Sequence, residues 1–97
     1  MWNRDAVYAE IVYQAMAAKK ENRFIQVPAL VGHLNGKGLR RGDGRAYTGG
    51  RGSYRTVACA YDWADRNRGA AAAAAVAETF LTPDGRRAWD PTGGNVS

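Results

Sequence analysis

The sequence predicts a mainly α-helical fold, a small domain of three or four helices. Three observations predict it. Apolar residues recur at spacings of three and four in separate segments, as amphipathic helices require. The breaks between those segments carry Asn-Gly, Gly-Asp-Gly and Gly-Gly, which are turn and loop sequences. The chain has 97 residues, enough for one domain. The expected domain covers residues 1–90, with residues 91–97 a disordered tail.

The first helix is predicted over residues 3–20. Asn3 is a capping type, and Asp5 puts a negative charge in the first turn, where it suits the helix dipole. Val7, Ile11 and Ala15 recur every four residues beside Tyr8, Val12 and Met16, forming one stripe for the core. Lys19 and Lys20 close the helix at its negative end.

A short second helix is predicted over residues 27–35. Pro28 suits the first turn, where its missing N–H is no loss. Leu30, Val31 and Leu34 form its buried face, and Asn35-Gly36 its stop. Residues 36–50 hold six glycines and read as a loop, or a short hairpin around Gly42-Asp43-Gly44.

The third helix should start between Thr48 and Ser53 and run to about Asn67, ended by Gly69. Its expected core stripe is Tyr54, Val57, Ala58, Tyr61 and Ala64. Ala70 to Ala75 are six strong helix formers, which favours a fourth helix to about Leu81, then a turn that returns Trp89 to the core. The alternative is a winged helix, with a β-hairpin over residues 76–90 turning at Thr82-Pro83-Asp84-Gly85.

The formal charge is +5. Lys37, Arg40, Arg41, Arg45, Arg51 and Arg55 fall within 19 residues and are opposed only by Asp43. The other eight basic residues are matched by eight acids, so the whole excess sits in this stretch. Cations at this density neutralise phosphates and release counterions, and six contacts would give a log-affinity against log-salt slope of roughly −5. A solvated loop that only aids solubility is the blander reading. In "TGGRGS", Thr48 and Ser53 flank glycines at an expected helix N-terminus, where free N–H groups attract anions. Neither a Walker motif nor a dinucleotide fingerprint is present, which argues against a nucleotide-binding enzyme.

Other residues read as structural. One His and one Cys, His33 and Cys59, make no zinc site, and no cofactor is expected. Cys59 reads as a buried thiol and permits no internal disulfide, which fits a reducing cytoplasm. Asp62 and Asp65 are expected to pair with Arg66 or Arg68 along the helix. Trp2, Trp63 and Trp89 read as core anchors, and Tyr47 as a residue that can stack on a base. No run approaches the roughly 20 apolar residues of a membrane span. The expectation is a soluble cytoplasmic protein with no membrane contact.

With those residues in view, residues 27–57 resemble the helix-turn-helix segment in the DNA-binding regions of large serine recombinases. Leu34-Asn35, Gly38, Arg40, Arg41, Gly44, Tyr47 and Thr48 follow that family's order. The resemblance implies a helix-turn-helix-like pair, with the second helix crossing the DNA backbone and residues 51–67 entering the major groove. Two departures stand out. "GGRG" lengthens the step from Tyr47-Thr48 to Val57, and the stretch from Gly36 to Thr48 exceeds the 3–4 residue turn of the standard motif. The chain has no recombinase catalytic domain, so no nucleophile is carried over.

The combined expectation is a sequence-preferring duplex DNA-binding module without catalysis, a small transcription regulator of a mobile element. Thr48, Arg51, Ser53 and Arg55 are the expected base contacts, since Arg suits guanine O6 and N7. Lys37, Arg40, Arg41 and Arg45 are the expected phosphate contacts. A homodimer would supply the area that one small module lacks. The alternative is a small protein-interaction or inhibitor module without nucleic-acid binding.

Overall fold

The structure is a computed structural model that describes residues 4–89. The expected Asn3 cap, Trp2 and the tail over residues 91–97 lie outside the described residues. In chain order the elements are α1 (Arg4–Lys20), β1 (Ile25–Gln26), α2 (Val27–Gly36), α3 (Arg51–Asn67), α4 (Ala70–Thr79) and β2 (Phe80–Leu81). The protein is thus mainly helical, as the periodicity predicts.

α4 packs against both α1 and α3, and α1 packs against α3. The composition of α4 explains this central place. Ala72, Ala73, Ala75, Val76 and Ala77 are buried, so neighbouring backbones approach closely on both sides. Phe80, Ile11, Leu30, Leu34, Val7, Val27, Val57 and Val76 fill the interior between the helices. Thr79 is buried too, and its hydroxyl is satisfied by donating to the Ala15 carbonyl at 3.4 Å.

The sequence reading needs correction at two places. Met16 is 45% exposed and does not belong to the core stripe of α1. The buried line of α3 runs through Ser53, Val57, Ala60 and Ala64, with Tyr54 and Tyr61 half-buried beside it. α2 ends at Gly36, at the stop read from Asn35-Gly36, and is capped just beyond it. Gly38 has φ of +79°, its N–H donates to the Asn35 carbonyl at 3.0 Å, and the Leu39 N–H donates to Leu34 at 3.0 Å. That paired pattern is a Schellman cap, and Leu39 packs on the core behind it.

Over residues 76–90 the favoured reading, a helix and then a turn, describes the chain rather than the winged alternative. α4 runs through Thr79, and Phe80 turns extended, so residues 76–79 form no wing strand. β2 pairs in parallel with β1, Ile25 opposite Phe80 and Gln26 opposite Leu81. The chain then turns at residues 82–86, where the Thr82 N–H donates to the Arg86 carbonyl at 2.7 Å. The return is short among the described residues: one antiparallel bridge, Leu81 to Arg87, and the Ala88 N–H donating to the Phe80 carbonyl at 2.9 Å. As expected, Trp89 returns to the core, its ring 6.5 Å from that of Tyr61.

Candidate nucleic-acid interface

The basic segment between α2 and α3 has a defined path, held at three points. Asn35 at the end of α2 binds the backbone of Tyr47 with both amide atoms: Nδ2 donates to the Tyr47 carbonyl at 3.0 Å and Oδ1 accepts its N–H at 2.9 Å. A tight turn closes in the middle, where the Arg41 N–H donates to the Arg45 carbonyl at 2.9 Å and Asp43 accepts the Arg45 N–H at 3.0 Å. Gly44 supplies the φ of +83° that this turn needs. At the far end the Ser53 hydroxyl donates to the Thr48 carbonyl.

Those contacts change the role of two expected site residues. Tyr47 is only 8% exposed and belongs to the core cluster, so its ring is not available to stack on a base. Ser53 is 4% exposed and holds the loop to α3, so it is not a base contact. Thr48 is exposed. Arg51 heads α3, and its side chain lies outside the described residues.

The cations divide into engaged and open groups. The Lys37 ammonium lies 3.1 Å from Glu10 Oε1. The Arg40 guanidinium donates to the carbonyls of Asn35 and Leu39, at 3.1 and 2.9 Å, where the negative end of α2 draws it. Arg41 Nη2 lies 3.4 Å from an Asp43 oxygen, with both side chains about half exposed. Arg45 and Arg55 are exposed and have no carboxylate partner among the described residues.

Arg41 and Arg55 line one cavity of about 210 Å³, together with Tyr8, Tyr47, Gly52 and Thr56. A second cavity, of about 390 Å³, shares Tyr8 and Cys59 with the first and continues to Arg4, Trp63 and Arg66. The two depressions follow one face of α3, through residues 52, 55, 56, 59, 62, 63 and 66, alongside the N-terminal half of α1. Of this face the sequence reading singled out Arg55 alone as a site residue. The approach of Arg4 and Tyr8 was not legible in the sequence, because it depends on how α1 packs.

Among the described residues the first depression is lined by no carboxylate, whereas Asp5 and Asp62 line the second beside Arg4 and Arg66. Burial, then the nearby Cys59 thiol, push the Tyr8 phenol up to about 12, so it stays neutral. Cys59 itself is half-buried, rather than fully buried as expected. Asp62 and Asp65 make no ion pair among the described residues, contrary to the helical pairing expected for them. Arg68 instead lies over the Trp63 ring, its guanidinium carbon 4.6 Å from the centroid.

A polar cluster that the sequence reading missed anchors the start of the loop. Glu10 Oε2 accepts from Gln14 at 2.9 Å and from His33 Nε2 at 2.7 Å, while Oε1 accepts from Lys37. Burial alone would raise the Glu10 carboxyl. The hydrogen bonds from His33, Gln14 and Lys37 outweigh it and hold the group below the usual carboxylate range. Only the α1–α2 contact brings these residues together, so no local motif announces them.

Among the described residues no group of His, Cys, Asp and Glu is placed to hold a metal ion, and no helix is long and apolar enough to cross a membrane. Comparison with protein-family models, curated proteins and solved structures finds no match to the chain.

Proposed function

We propose that the protein binds duplex DNA through the N-terminal half of α3 and the loop over residues 37–50, as a small regulator. The observation that carries this reading is the pairing of Arg41 and Arg55 on one depression, with Arg45 and Arg55 open to solvent. Arg55 lies one turn into α3, where recognition helices contact base edges. It is the base-contacting candidate, joined by Arg51 and Thr48. Arg41 and Arg45 take phosphates and fix position. Lys37 and Arg40 already have partners on α1 and α2, so they contribute less than the sequence alone suggests. The resemblance to the recombinase segment supports the same assignment of α3.

With two phosphate contacts, Arg41 and Arg45, instead of six, the expected log-affinity against log-salt slope is about −2. The test is a fluorescence-anisotropy titration with random and genomic duplexes over a salt series. Salt-dependent duplex binding supports the proposal. Absence of duplex binding at about 50 mM salt, where the counterion effect is strong, overturns it.

A protein-interaction module is the second reading. Tyr13 and Phe24, 66% and 65% exposed, favour it. A complex recovered by pull-down from a chain that fails the duplex titration would establish it.

A further inference from the structure

α1 carries two apolar lines, and the core uses one of them. Val7, Ile11, Ala15 and Ala18 are buried against the rest of the domain. On the opposite side Ala9, Tyr13 and Met16 follow at spacings of four and three, and Lys20 comes four residues later. This is the a/d spacing of a coiled-coil seam. On a helix turning 100° per residue, these four positions fall within about 60° of one another. Tyr13 is 66% and Met16 45% exposed, so the line faces solvent. Charge stands only near its two ends, at Asp5 and Lys20.

We propose that this line is the contact surface for a second copy of the chain, with the two α1 helices antiparallel. The end charges select both the occupant and the direction. In an antiparallel pair Asp5 meets Lys20 of the second copy, whereas a parallel pair sets Asp5 on Asp5 and Lys20 on Lys20. Asp5 borders the second depression and stays exposed there, and its own contact to Arg4 is a loose 3.9 Å pair with both groups exposed, so it can reach a second copy. The neighbouring Lys19 faces Glu78 at 2.6 Å and stays out of the seam. The same register places small Ala9 opposite large Met16 and brings the two Tyr13 rings close to the twofold axis. Alternating small and large side chains is what fills a helix interface. Antiparallel helix dipoles add to the preference.

Seventeen residues give a helix about 26 Å long. One such face buries less than the roughly 1,200 Å² of a standard stable interface, so the dimer forms in a concentration-dependent equilibrium. The surface is separate from the basic loop, so this proposal stands or falls independently of DNA binding.

Sedimentation velocity over a concentration series tests it, on the full chain without DNA. The expected result is a mass that rises from monomer toward dimer. Tyr13→Glu should weaken association by about tenfold or more, because it places a charge at the centre of the interface. Its far-ultraviolet circular dichroism should be unchanged, since the side chain makes no core contact. Lys20→Glu should weaken the dimer, and Asp5→Lys combined with Lys20→Glu should restore it. A wild-type chain that stays monomeric throughout overturns the proposal. So does a Tyr13→Glu chain that associates as wild type does. A double charge reversal that fails to restore association overturns the antiparallel arrangement.

Discussion

Asn35 and Tyr47 are bound like two residues of a β-ladder, with the side-chain amide of one replacing a strand backbone. The donor Nδ2 meets the Tyr47 carbonyl at 3.0 Å, and the acceptor Oδ1 meets its N–H at 2.9 Å. This contact closes the basic loop onto the end of α2 and satisfies two backbone groups that lie in no secondary structure. It also turns the Tyr47 ring into the core. The loop is therefore presented to solvent from a fixed base, despite its glycines.

Asn35→Ala should remove both side-chain bonds to the Tyr47 backbone. The expected loss of stability is about 1–3 kcal/mol, the net worth of two hydrogen bonds. Hydrogen exchange provides the specific readout: the Tyr47 amide should lose its protection, while amides in the middle of α1 change only with global stability. If the Tyr47 amide keeps wild-type protection relative to those of α1, the loop does not depend on this contact.

Arg45 and Arg55 should behave differently in DNA binding. Arg45→Ala should weaken binding to all duplexes alike and reduce the salt slope by about 0.9, the value of one phosphate contact. Arg55→Ala should in addition relax preference at one base position, with a loss of about 1–3 kcal/mol on the preferred sequence. Arg40→Ala should have the smallest effect, because its guanidinium already serves the Asn35 and Leu39 carbonyls. Competition titrations with a randomised duplex pool separate the three outcomes.

The helices were legible because each carries its own apolar period. Val7, Ile11 and Ala15, or Leu30, Val31 and Leu34, need no distant partner to be recognised as one face. What failed was the ranking of faces where α1 is apolar on both sides. Met16 fits an inward stripe by spacing, yet only the packing of α4 against α1 decides which stripe goes inside. Site residues were harder for the same reason. Lys37 and Arg55 look alike in the sequence, but Lys37 meets Glu10 across 27 positions while Arg55 meets no carboxylate among the described residues. Tyr47 and Ser53 look like surface ligands of a flexible loop until the Asn35 contact fixes where that loop runs. Local periodicity reaches about one turn along the chain, and these pairings span more than that.

Gly69 joins α3 to α4 at φ +101° and ψ 172°, a region that other residues rarely occupy. The space around its Cβ position is open, so backbone strain rather than a clash governs substitution. Gly69→Ala should therefore cost about 1–3 kcal/mol through that strain. Chemical denaturation checks it. A neutral result would mean that the turn accommodates a different backbone path.

Glu10 ties the fold to the proposed function, and the two are separable by pH and salt. Its carboxyl is held below its ordinary value of 4.5 by His33, Gln14 and Lys37, although burial opposes this. A group depressed in the folded state contributes stability that is complete above its unfolded value. That contribution fades as pH falls through 4.5 and onward through the lower folded value. Stability should thus drop on acidification below that point, and Glu10→Gln should flatten the drop while costing about 1–2 kcal/mol at neutral pH for the lost charge-assisted bonds. The same change releases Lys37 from its carboxylate and adds one unit of positive charge beside the loop. If Lys37 then reaches a phosphate, DNA affinity rises at low salt and the salt slope steepens by about 0.9. Thermal denaturation across pH and anisotropy across salt read the two effects on the same variant. A flattened acid limb with an unchanged salt slope would place Lys37 outside the contact surface and leave the α1–α2 clamp as its whole role.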